Sequence, residues 1–220
     1  MRGAAVIVAA LLFAGSAAAD APRYRPTAGG AIAAHASLLR LEDFGLGWEG
    51  GETETQPLFG SACPGFNPKQ SDLTVIGHRN AAFHNHQLGL DVEQDIQIMS
   101  SADEVATDFA RTIQPRLASC LEYELRHAKG EKSIDHVTVT SIAFPGVGYT
   151  GVVTKVRRAL YRAEVVFRIN GRKVDFVSDY VYLGVGSREF TVNVIVPAVD
   201  RGQLIPFETA VAELLVKRAS

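Results

Sequence analysis

Ala163-Glu164-Val165-Val166-Phe167-Arg168-Ile169-Asn170-Gly171-Arg172-Lys173-Val174-Asp175-Phe176-Val177 carries two alternating runs around a turn pair. Ala163, Val165, Phe167 and Ile169 alternate with Arg162, Glu164, Val166 and Arg168, the period-two pattern of a β-strand. Asn170-Gly171 follows, and both residues tolerate the positive φ that a tight hairpin turn requires. Val174 to Leu183 therefore returns antiparallel. Gly184 to Ser187 makes the next turn, and Phe190, Val192, Val194 and Val196 alternate in the strand beyond it. Successive tight turns predict an antiparallel meander.

Upstream, Leu90, Val92, Ile96 and Ile98 share one parity while Asp91, Glu93, Asp95 and Gln97 share the other, which describes a half-buried strand. Leu73 to Gly77 reads as a shorter strand. Ser101 with Glu104 forms a capping-box pattern. Val105, Phe109, Ile113, Leu117, Cys120, Leu121 and Leu125 then recur at helical steps, so one stripe faces the core. Pro115 should kink or break that helix, and Gly130 should end it. Ile134 to Phe144 and Tyr149 to Val156 read as extended. Ala33 to Phe44 reads as a short helix. Glu49 to Lys69, rich in Gly, Pro, Thr and Ser, reads as a long surface loop. Pro206 opens a C-terminal helix with Phe207, Val211, Leu214 and Leu215 as its apolar stripe. The expected class is α+β: an antiparallel β-sheet meander with helices packed on one face and one disulfide.

Residues 1–19 combine Arg2, an apolar run from Ala4 to Ala14, and Ala17-Ala18-Ala19 as an Ala-x-Ala cleavage site, the pattern of a secretory signal peptide. The run is short for a membrane span. The expected product is secreted or extracytoplasmic, with no transmembrane anchor. Residues 20–32, with Pro22, Pro26 and Gly29-Gly30, read as a flexible leader before a single domain over 33–220. Cleavage removes one of 22 basic residues and leaves 24 acidic ones, a near balance that offers no argument for nucleic-acid binding. The chain holds two cysteines, and an exported chain with an even count favours a Cys63–Cys120 bridge over two buried thiols. It would close a loop of 57 residues, worth about 4 kcal/mol by chain entropy.

His78, His84 and His86 share a parity and invite a metal reading, but no carboxylate or thiolate stands at ligand spacing, so no metal or other cofactor is expected and a chelator should leave the fold unchanged. Lys155, Arg157, Arg158, Arg162, Arg168, Arg172 and Lys173 make a basic stretch, which alternation explains as the solvated face of a hairpin. Asp175 and Asp179 share a strand face and read as outward and solvated. Gly184-Val185-Gly186-Ser187 lacks the following helix that a nucleophile turn needs, so no catalytic residue is assigned. Val174 to Leu183 is apolar on both parities, with Phe176, Tyr180 and Tyr182 on one and Val177, Val181 and Leu183 on the other. A strand of that kind needs cover on both sides. With helices on one side, the other becomes the candidate ligand site: Tyr180, Tyr182 and Phe176, bordered by Arg157, Arg158 and Arg172, for a small anionic or amphipathic ligand. The seam where the long loop crosses the helix carrying Cys120 is a second recess, and folding of Tyr149 to Arg162 over the open face is the alternative to a ligand.

Leu41-Glu42-Asp43-Phe44-Gly45-Leu46-Gly47-Trp48, a loop cysteine, Ser71-Asp72-Leu73-Thr74-Val75, the Ser101-Ala102-Asp103-Glu104 helix start and Pro115-Arg116-Leu117-Ala118-Ser119-Cys120-Leu121 together resemble secreted actinobacterial proteins related to the PknH-like extracellular sensor domain and neighbouring mycobacterial lipoproteins. The likeness runs from about Leu38 to the C-terminus. It implies an α+β, non-catalytic domain that binds a ligand in a cleft. The chain departs from the kinase sensors in having two cysteines rather than four, no kinase domain and no span. The expected function is a secreted, non-catalytic ligand-binding or sensor-like module of the cell envelope, not an enzyme. The alternatives are an envelope hydrolase or lipid-acting enzyme, and a structural protein-interaction module.

Overall fold

The structure is a computed structural model that describes residues 20–56, 58, 62–127, 134–145, 156–169 and 172–220. The signal-peptide reading of residues 1–19, the Asn170-Gly171 turn and most of the Tyr149 to Val156 segment lie outside the described residues. Eight strands form one sheet: β1 (Arg23–Tyr24), β2 (Glu49–Thr53), β3 (Thr74–Asn85), β4 (Leu90–Met99), β5 (Ile134–Ile142), β6 (Val156–Ile169), β7 (Arg172–Val185) and β8 (Arg188–Pro197). Among the described residues four α-helices accompany them: α1 (Ala28–Ala36), α2 (Ala102–Thr112), α3 (Pro115–His127) and α4 (Leu204–Ala219). The sheet runs β1-β3-β4-β8-β7-β6-β5, with β2 also paired to β3. All pairings are antiparallel except β1 with β3. The fold is α+β with a Cys63–Cys120 disulfide, Cα atoms 5.5 Å apart.

Two blocks build this sheet. The β3–β4 hairpin meets the β5–β8 meander through β8, so the last meander strand lies beside β4. The chain must therefore travel from β4 near the middle to β5 at the far edge, and α2 and α3 span that route. Helices then cover both faces, where the sequence had suggested one. Odd-numbered β7 residues Val177, Val181 and Leu183 join Leu160, Val192 and the α1 and α4 residues Ala34, Val211, Ala212 and Leu215 in one core. Tyr180, Tyr161, Ala163 and Val165 join Leu117, Cys120, Leu121 and Leu125 of α3, with Phe66, in another. The both-sided apolarity of β7 is thus answered by protein on each side.

Local signals explain the element ends. Ser101 Oγ accepts from the Glu104 amide at 3.2 Å, and the Glu104 carboxylate accepts from the Ser100 amide at 3.1 Å and hydroxyl at 2.7 Å. Pro115 ends one helix and begins the next, because a first-turn proline lacks only an amide that would be unpaired anyway. The segment read as a flexible leader belongs to the fold. Arg23 and Tyr24 pair with Thr74 and Val75, and the Asp20 carboxylate accepts from the Gln70 and Ser71 amides. The expected Ala33 to Phe44 helix begins earlier, capped by Thr27, and stops at Ala36. Glu49 to Thr53, expected in a loop, is an edge strand. A Cβ at Gly50 would stand 2.1 Å from the Ala82 carbonyl oxygen, so glycine is what lets β2 approach β3.

α1 packs on β3 through a reciprocal glycine contact. A Cβ on Gly77 would lie 2.1 Å from the Gly30 carbonyl oxygen, and one on Gly30 would lie 2.1 Å from that of Ile76. Backbone stands on both sides, so the helix would have to lift away. Gly77→Ala is expected to cost about 3 kcal/mol, a fall of about 6–12 °C in Tm. Gly29→Ala, one residue from Gly30 and with nothing within 4 Å of its added carbon, is expected instead to add about 0.5–1 kcal/mol of helix propensity. Thermal melts of the two variants should move in opposite directions. A Gly77→Ala protein that melts with the parent would refute this packing account.

Candidate functional site

The polar side chains of β4 and β8 meet on the face that α2 and α3 partly cover. Pairing puts Ala82, Glu93, Asn193, Tyr180 and Tyr161 on one continuous rung across β3, β4, β8, β7 and β6. The next rungs are His84-Asp91-Ile195-Ser178 on one side and Asn80-Asp95-Thr191-Tyr182 on the other. The odd-numbered β4 positions, the polar parity of that strand, are themselves half-buried.

Glu93 and Glu124 are the unusual groups. Burial, with the Asp91 charge beside it, pushes the Glu93 carboxyl up to about 7, against a smaller opposing hydrogen bond from Asn193. Burial alone pushes Glu124 on α3 up to about 7. Both lie close enough to Tyr180 for their charges to bear on its phenol. Tyr180 is buried, its ionisation held up to about 12 chiefly by burial, and burial raises Tyr182 further. Tyr161 meets Tyr182 edge-on at 6.0 Å and donates from its hydroxyl to the Gln114 carbonyl at 3.1 Å. Two carboxyls, one from the sheet and one from the helix layer, thus converge on a tyrosine cluster. Among the described residues, neither carboxyl makes an ion pair. Closer to α2, Glu189 is pushed well up by burial, with the Asp108 charge adding to it and Arg157 opposing it.

The expected ligand residues come together only in part. Tyr180, Tyr182 and Phe176 share the α3 face, as their parity required. Arg157 pairs with Gly184 and Arg172 with Ile169, rungs about 40 Å apart along β7. Arg158 has the opposite parity from Arg157, and Arg158 and Arg172 are exposed. The surroundings of the tyrosines are therefore acidic rather than basic.

The opposite face holds a second correction. Arg162, read as solvated, grips Asp179 through Nε at 2.8 Å and Nη2 at 2.5 Å. Asp179, also read as outward, is 0% exposed. Glu208 of α4 faces this pair and is itself buried. Helix cover turned an apparent outer face into an interior one. Trp48 packs in the core rim, stacked on Phe44 at 4.5 Å and on Phe207 at 6.0 Å. The seam recess exists as well: Cys63, Gly65, Phe66, Arg116, Ser119 and Tyr123 line a shallow hollow of about 420 Å³ beside the disulfide.

His78 stands apart from His84 and His86, with Nε2 at 2.5 Å from Asp95. His84 and His86 do lie together, and Glu49 joins them. No signal in the sequence could have placed Glu49 there, because it lay in a segment read as a loop. Among the described residues, no helix is long and apolar enough to cross a membrane. The chain matches no family model, no curated protein and no solved structure.

Proposed function

We infer that the protein is an exported, non-catalytic ligand-binding module of the cell envelope, as its resemblance to the PknH-like extracellular sensor domains implies. The disulfide suits an oxidising compartment. The observation that carries the binding reading is the convergence of Glu93 and Glu124, from two different layers, on Tyr180 without a basic partner among the described residues. Half-buried carboxyls left without a counter-charge suit a ligand that brings one. The tyrosine rings offer faces for its apolar or cationic part. The ligand is then amphipathic with a cationic or hydrogen-bond-donating head, a change of sign from the anionic molecule that the basic stretch suggested.

Native mass spectrometry of protein purified from its own host tests this reading. A co-purifying small molecule is expected in the parent and in Arg158→Ala and Arg172→Ala. It should fall at least tenfold in occupancy when Glu93 and Glu124 are both changed to glutamine. Loss in the arginine variants with retention in the glutamine variant would restore the anionic reading. An envelope hydrolase draws support from the same two carboxyls, since a group near 7 serves as a general acid or base. Turnover of envelope glycans or lipids that vanishes in Glu93→Gln would favour it.

A further inference from the structure

We propose that Glu49, His84 and His86 form a binding site for a divalent transition metal ion, with zinc the best fit. The site is built by strand pairing. Glu49 on β2 and Asp91 on β4 both lie opposite His84 on β3, so the three stand on one rung of adjacent strands. His86 lies just past the end of β3. Asn85 fixes the turn there, its side-chain oxygen accepting from the Gln87 amide at 3.1 Å and the Leu88 amide at 3.2 Å. His86 is thereby brought back over His84, ring centroids 4.4 Å apart. The Glu49 carboxylate stands 3.5 Å from His84 Nε2. One ligand atom from each of the three residues lies within 4.8 Å of the others.

The donor chemistry selects the ion. Two imidazoles and a carboxylate suit zinc and its neighbours, whereas calcium and magnesium prefer all-oxygen shells. Bonds of about 2.0–2.2 Å to a tetrahedral ion need the donors somewhat closer together than they stand. The Glu49 side chain is 70% exposed and that of His84 37% exposed, so both can turn inward without disturbing the core. Asp91 adds negative charge beside both imidazoles. Three protein donors leave a fourth position for water or a ligand atom. A bound ion would also fasten the Gly50-Gly51 edge strand to the β3–β4 hairpin. The inference does not depend on what binds near Tyr180, because its test uses the metal alone.

The test is isothermal titration of zinc chloride into the tag-free mature chain after EDTA treatment and desalting. One ion per chain is expected, at low-micromolar Kd or tighter, with a rise in Tm on saturation. His84→Ala and His86→Ala should each weaken binding at least thirtyfold, and Glu49→Gln about tenfold. His136→Ala, at an exposed histidine on β5, should bind as the parent does. Melting in EDTA should match the parent in every variant, because the site lies outside the core. No saturable binding at 100-micromolar zinc, retention of binding in both β3-hairpin histidine variants, or its loss in His136→Ala would each overturn the proposal.

Discussion

Reduction of the Cys63–Cys120 bond, or replacement of both cysteines by alanine, is expected to lower stability by about 4 kcal/mol, since the bond closes 57 residues of chain. In a protein of this size that is about 8–16 °C in Tm. The bond's position says which part should loosen. Cys63 sits in a small turn whose backbone bonds to Phe66 in both directions, at 2.9 Å each. Cys120 is buried on the inner stripe of α3. Phe66 packs in the same cluster as Leu117 and Leu121, so the turn is held by the covalent bond, one aromatic ring and a 3.4 Å hydrogen bond from Arg116 to the Gly65 carbonyl. Without the bond, the 420 Å³ hollow at the seam should lose its definition. Amide exchange should rise around Cys63 to Phe66 and along α3, while the α1–α4 core stays protected. A Tm in reductant within 2 °C of the oxidised value would refute this.

How much of this could be read from the sequence depended on whether a residue's environment is local. The β4 strand, the Ser101 cap and the Pro115 break depend on neighbours a few residues away, and each stands where its pattern placed it. The cysteine pairing was legible because only one pairing exists. β2 was not legible, since Glu49-Gly50-Gly51-Glu52-Thr53 has a turn-like composition and becomes a strand only because glycine can press against Ala82. The two-sided apolarity of β7 was visible, but not the identity of its second cover. That cover follows from β8 pairing with β4, a long-range choice that sends α2 and α3 across the sheet. The same choice decided the site. Parity correctly grouped Tyr180 with Tyr182, but periodicity cannot say that a helix will bring Glu124 to them. Nor can it say that Arg162 and Asp179 will be roofed by α4.

That roofed pair sets up a large pH effect that one substitution can isolate. Glu208 is 1% exposed and faces Asp179, which is already committed to Arg162. Burial first, then the adjoining Asp179 carboxylate, raise Glu208 from 4.5 to about 9, with Arg162 opposing. Both Glu208 oxygens are buried without a hydrogen-bond partner, so the neutral, protonated form is favoured in the native state at neutral pH. The unfolded chain releases that proton above about 4.5. Between these values the native state binds one proton more than the unfolded state, so stability is full below 4.5 and falls as pH rises through 9, by up to about 1.4 kcal/mol per unit. Glu208→Gln removes the proton from this balance while keeping a neutral donor of the same shape. The variant should match the parent near pH 5. At pH 8 it should be more stable than the parent by a few kcal/mol, seen as a Tm gap on the order of 10 °C. Glu93 and Glu124, raised to about 7, and Glu189, raised well above the usual range, also depress stability with rising pH. They are unchanged in the variant, so the difference between the two curves isolates Glu208. Parallel Tm curves from pH 5 to pH 9 would mean that Glu208 is ionised in the native state and that Arg162 serves both carboxylates.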